Sequence, residues 1–134
     1  MDEDKASNFH QKCDDKGATI TIIKSDKELK FGGYSSISWN GSLNNYCSNG
    51  VNFLFSIDLE RYFKPFRNFQ NLTGHLSNYG PIFGGGNDLI IYDICMNNNN
   101  SYNNIGNTYK NNFSYELNGG TNNFKVLDYE VFQI

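Results

Sequence analysis

From Ala18 to Ile23 threonine and isoleucine alternate, the period-two pattern of a half-buried strand, read here with isoleucines inward and threonines outward. Ser25-Asp26-Lys27-Glu28 is turn chemistry, and Leu29 to Tyr34 returns as the second strand of an antiparallel hairpin, which Ser35 to Trp39 is placed to continue. Val51 to Ile57 gives the next strand, with Phe53, Phe55 and Ile57 on one face. Pro81 to Phe83 and Leu89 to Ile94 read as strands on either side of Gly84-Gly85-Gly86. Phe113 to Leu117 reads as a short strand turned by Asn118-Gly119-Gly120, and Phe124 to Ile134 as a long final strand. The polar stretch 40–49 reads as a loop, 59–69 as irregular around Pro65, and the asparagine-rich 97–112 as an exposed low-complexity loop. One helix is predicted, over Asn8 to Asp14, with Ser7 as its cap, Phe9 and Cys13 on one face, and Gly17 as its end. Short strands in close succession with one helix at the start predict a mainly β chain, a two-sheet antiparallel sandwich.

Composition narrows the role. The chain has 134 residues, enough for one domain with a real core, and 16% of them are aromatic. A net charge of -3 with no cluster of Lys or Arg argues against nucleic acid, which asks for a basic face. Cys13, Cys47 and Cys95 are an odd, widely spaced set, which fits a reduced cytoplasmic chain better than a disulfide framework. No apolar run reaches the length of about 20 residues that a membrane span needs.

Two aromatic-glycine corners stand out: Phe31-Gly32-Gly33-Tyr34, with Trp39 downstream, and Tyr79-Gly80-Pro81-Ile82-Phe83-Gly84-Gly85-Gly86. Around them, in order, lie Phe9-His10-Gln11-Lys12-Cys13-Asp14, Asn52 to Ile57, Asp88 to Ile91, Tyr102 to Tyr109, and the closing Phe124-Lys125-Val126 and Tyr129-Glu130-Val131-Phe132. As an ordered set these pieces resemble the TLDc domain, the module of oxidation-resistance proteins, over residues 9–134, with 1–8 as a flexible tail. The resemblance implies a two-sheet sandwich with helices at its margins, an intracellular role in resistance to oxidative stress, and contact with the vacuolar-type proton ATPase. It carries no catalytic constellation and no cofactor. It also implies a further N-terminal segment ahead of Phe9, so the chain is expected to leave an apolar surface or strand edge open and to self-associate through it.

Each chemical motif has a structural reading beside it. Backbone N–H groups at Gly84, Gly85 and Gly86, next to Asp88, could cradle an anion, yet neither a P-loop Lys nor a following helix is present, so a structural corner is favoured. Gly32, Gly33 and Trp39 read as a structural corner outright. His10, Cys13 and Asp14 share a helix but lack a fourth metal ligand, and His75 reads as exposed in a loop. No Gly-x-Ser-x-Gly elbow occurs, and no cysteine sits in a Cys-x-x-Cys pair. In the last strand both faces look apolar, which predicts a central strand with Glu130 buried and paired; the alternative is a bulge near Asp128 that turns both acids outward. The chain therefore reads as a non-enzymatic interaction module with Gly84, Gly85, Gly86, Asp88 and Glu130 as candidate binding residues. The rivals are a small hydrolase or redox enzyme using Glu130 or a cysteine, and the C-terminal part of a larger adaptor.

Overall fold

A computed structural model describes residues 5–66, 70–110 and 116–134. In chain order the elements are α1 (Ala6–Cys13), β1 (Thr19–Ser25), β2 (Lys30–Ser35), β3 (Asn45–Cys47), β4 (Asn52–Ser56), β5 (Arg61–Phe63), β6 (Thr73–His75), β7 (Ile82–Phe83), β8 (Leu89–Ile90), β9 (Ser101–Asn103), β10 (Asn123–Phe124) and β11 (Val126–Gln133). They form two sheets, one of five strands in the order β11-β1-β2-β4-β5 and one of six in the order β10-β9-β8-β7-β6-β3. Every ladder in both sheets is antiparallel, and the core lies between them around Ile23, Phe31, Trp39, Leu54, Phe83 and Tyr109. The predicted sandwich with a short N-terminal helix is the observed one.

The five-stranded sheet is turned over relative to the expectation for β1. Thr19, Thr21, Ile23 and Ser25 are buried, while Ile20 and Ile22 are only half-buried on the outer face. β4 follows suit: Asn52, Leu54 and Ser56 point inward, and Phe53 and Phe55 outward. Thr19 meets the largest buried side chain, Trp39, whose indole N–H donates to Thr19 Oγ1 at 3.0 Å. A buried hydroxyl with a partner costs little at Thr19, whereas Thr21 Oγ1 is buried without one among the described residues.

Several segments read as irregular carry structure. The stretch 40–49 holds a 3-10 turn at Gly41–Leu43 and β3, and 59–69 holds β5. β2 ends at Ser35, and Trp39 instead makes an isolated parallel bridge to Asp14. The described part of 97–112, up to Lys110, contains β9 and buries Ile105, Thr108 and Tyr109, so it is not an exposed loop. Its asparagines replace missing backbone partners: Asn103 Nδ2 donates to the carbonyls of Thr121 and Asn122, both at 2.9 Å. Most of the predicted strand 113–117 lies outside the described residues, and Glu116–Asn118 is a 3-10 turn.

The helix starts earlier than predicted, at Ala6, and its cap is not Ser7. The Lys5 side chain makes no cap bond; the Ala6 N–H donates across the fold to Asp93 Oδ1 at 2.7 Å. The helix ends where Asp14 turns extended, well before Gly17.

The final strand is two strands. β10 belongs to the six-stranded sheet and β11 to the five-stranded one, and Lys125 makes the crossing, with its carbonyl accepting from the Asp26 N–H at 2.8 Å. β11 is an edge strand, not a central one. Its pairing with β1 slips between Lys24↔Asp128 and Ser25↔Val126, so Leu127 is an extra residue and a bulge. The slip shifts the phase by one. Val126 is buried, Tyr129 and Val131 pack against the core, and Asp128, Glu130 and Phe132 are exposed. The buried, paired Glu130 is thereby corrected to an exposed one.

Candidate functional site

The second glycine corner runs from β7 through Gly84 and Asn87, at φ +93° and +59°, into Asp88 just before β8. A Cβ at Gly84 would collide with the Asp88 carboxylate, at Gly85 with Asn71 Cβ (2.8 Å), and at Gly86 with Asn107 Cβ (2.6 Å). What Gly84 makes room for is Asp88, which is fully buried. Its carboxylate accepts from four successive backbone N–H groups: Gly106 at 3.2 Å, Asn107 at 3.1 Å, and Thr108 and Tyr109 at 2.9 Å. The anion cradle of this corner is the loop 106–109, and the anion in it is the protein's own. Burial pushes the Asp88 carboxyl above its usual range, against the pull of the N–H groups of Tyr109, Thr108 and Gly106. Burial, and next the Asp88 charge, also push the Tyr109 phenol up, and its hydroxyl donates to the Leu72 carbonyl at 2.7 Å.

The two aromatic-glycine corners meet. The Phe83 ring lies where a Cβ of Gly33 would be, within 2.5–2.8 Å of that position, and packs edge-on to Trp39 and Tyr109. A Cβ at Gly32 would land on the Thr21 carbonyl oxygen of the neighbouring strand. Glycine is thus required in β2 on both faces: at Gly33 by a ring from the opposite sheet, at Gly32 by backbone.

His75, expected in an exposed loop, is the last residue of β6 and is 1% exposed. Its Nδ1 accepts from the Asn40 N–H at 3.0 Å, which leaves the proton on Nε2 to face Thr73 Oγ1 at 2.9 Å. Burial holds its pKa below 6.5. His10 binds α1 to the rest: Nδ1 meets Asp14 Oδ1 at 2.8 Å, and Nε2 meets the carbonyls of Leu76 and Tyr79 at 3.0 and 2.8 Å. Asp14 Oδ2 in turn accepts from the Gly41 N–H at 2.8 Å. These side chains lock helix, turn and β6 together. Among the described residues, no group of three or more His, Cys, Asp or Glu is placed to hold a metal ion.

Outside this interior lies a groove of about 360 Å³ between α1 and β11, lined by Phe9 and Cys13 on one side and Tyr129 to Phe132 on the other. Cys13 is half-buried there, and its thiol is raised above its usual pKa, first by burial and next by Asp14. A raised thiol is a poor nucleophile at neutral pH. Cys47 is half-buried and Cys95 buried, and all three cysteines are free thiols.

Compared with known families, the sequence matches the TLDc domain over residues 1–134. The chain belongs to the TLDc family. No curated protein matches it. The TLDc match covers both glycine corners, Asp88, and the groove alike.

Of the residues the sequence singled out in this TLDc chain, Gly84, Gly85, Gly86 and Asp88 form one corner, buried at Gly84 and Asp88 and exposed at Gly85 and Gly86, and Gly33 and Trp39 pack against it through Phe83, while Gly32 abuts the backbone of Thr21. Glu130 stands apart, exposed on the groove. Sequence reasoning missed the cradle at 106–109, although Gly106 followed by Asn107 signals positive-φ backbone, and it missed the His75 anchor, which carries no local signal.

Proposed function

We propose that this TLDc domain is a non-catalytic protein-interaction module that serves oxidative-stress resistance in the cytoplasm by binding the vacuolar-type proton ATPase. The family carries the stress-related role. One observation of the chain supports a binding role over a catalytic one: the carboxylate, imidazole and phenol groups at the candidate site are already engaged. Asp88 is filled with backbone donors, His75 and His10 are held on both ring nitrogens, and Tyr109 is bonded to Leu72. A catalytic acid or base has to keep a face open to substrate. The solvent side, by contrast, is rich in large apolar groups. Ile20, Ile22, Tyr34, Phe53 and Phe55 are only half-buried on the outer face of the five-stranded sheet, and Tyr62 is 61% exposed.

The test is direct binding of the purified domain to the isolated peripheral sector of the vacuolar-type ATPase by biolayer interferometry. Saturable binding is the expected result. Absence of binding, together with turnover of ester, peptide or thiol substrates that a Cys13→Ser variant loses, would favour the redox or hydrolase reading instead.

A further inference from the structure

β11 is an eight-residue edge strand, and among the described residues no strand pairs with its outer side. The groove beside it touches four consecutive residues of that strand, Tyr129 to Phe132. Because side chains alternate between faces, a groove in contact with four in succession runs along the strand's edge rather than over one face. The far wall is α1, which brings the apolar Phe9 and Cys13 to the groove together with the polar Asn8 and Lys12. The Ile134 N–H donates to the Ala18 carbonyl, which fixes the phase of the ladder: even-numbered residues of β11 bond β1, and the N–H and C=O of Val131 and Gln133 point toward the groove. On the exposed face of the same strand stand Asp128 and Glu130.

We propose that this edge binds an extended segment of a partner protein by strand addition, the segment alternating apolar residues, which enter the groove, with basic residues, which face Asp128 and Glu130. Backbone bonds to Val131 and Gln133 supply the affinity and the alternation supplies the specificity. The same acids disfavour two registers of a second copy of this chain: two β11 strands paired antiparallel about Tyr129 would set Asp128 opposite Glu130, and paired about Glu130 they would set that residue opposite itself. The proposal rests on the reading of the domain as an interaction module and names the surface that does the binding.

The probe is a synthetic peptide of alternating lysine and valine, about seven residues long and capped at both ends. It is compared with a glutamate-valine version and with a lysine-valine version N-methylated at alternate amides, so that each set of edge-facing N–H groups is removed in turn. Affinity is read by fluorescence anisotropy and the site by amide hydrogen exchange. The lysine peptide should bind and slow exchange at Val131 and Gln133, and both the glutamate version and one of the two methylation patterns should bind at least about tenfold more weakly. The Glu130→Lys variant should reverse the preference between lysine and glutamate peptides, a readout that loss of structure alone would not give. The Val131→Pro variant should abolish binding while leaving the β1 ladder intact, because only the outward N–H is lost. No binding of the lysine peptide, equal binding of lysine and glutamate peptides, or protection confined to other strands would overturn the proposal. Binding of the ATPase sector that persists in Glu130→Lys and Val131→Pro would overturn it too, while leaving the interaction module standing.

Discussion

The glycine corner at 84–88 and the β11 edge are built on opposite plans. In the corner an acid is buried and its carboxylate is saturated: Asp88 is enclosed by four N–H donors and by glycines whose Cβ positions it and its neighbours occupy. At the edge an acid is exposed, the strand has one ladder rather than two, and a groove of mixed apolar and polar lining lies open beside it. Two carboxylates, each followed by an aliphatic residue, thus take opposite roles. The difference comes from what the backbone offers each. Loop 106–109 aims N–H groups at Asp88, and a one-residue bulge at Leu127 turns Glu130 away from the core.

The largest effect is expected at the cradle. Asp88→Ala leaves successive buried N–H groups without an acceptor and should lower stability by about 3–5 kcal/mol, measured by urea unfolding. Asp88→Asn should fall between, since its amide oxygen accepts fewer of them. If Asp88→Ala is as stable as the wild type, the cradle does not hold the fold. Next come the glycines of the first corner. Gly32→Ala meets a neighbouring backbone carbonyl and should cost about 3 kcal/mol, whereas Gly33→Ala meets the edge of the Phe83 ring and should cost about 1–2 kcal/mol if the ring yields. Reversal of that order would show the Phe83 contact to be the stiffer one.

A smaller effect separates the interior from the edge by pH. His75 has a folded pKa below its unfolded 6.5, so the unfolded chain takes up a proton first as pH falls. The folded state therefore loses stability as pH drops below 6.5, and the loss levels off once pH passes the folded value. His75→Asn should flatten that part of the wild-type stability profile between neutral pH and pH 5, measured by thermal unfolding in a buffer series. An unchanged slope would mean that the ring is not held neutral by burial. The smallest effect is expected at the edge, where Glu130→Gln should change stability by less than about 0.5 kcal/mol.

The same contrast marks what the sequence made legible. The β1–β2 hairpin, the antiparallel sandwich and the two aromatic-glycine corners follow from period-two patterning and from glycine's lack of a Cβ, both local properties. The sidedness of β1 does not follow from alternation, because period two is satisfied with either face inward; the inward face is marked by Thr19, which accepts from the Trp39 indole. The Leu127 bulge depends on the register of a strand distant in sequence, so the phase of β11 was open. Composition misled at 97–112, where Asn side chains bond carbonyls of the chain rather than water. His75 sits in a three-residue strand among small polar residues, too short to show a period.

The most direct test of the whole account is to carry Asp88→Asn and Glu130→Lys side by side through urea unfolding and lysine-valine peptide binding. The account predicts that Asp88→Asn loses stability but, under conditions where it is folded, keeps wild-type affinity, while Glu130→Lys keeps stability and loses the lysine peptide. Loss of affinity in folded Asp88→Asn, with Glu130→Lys binding as the wild type does, would contradict it.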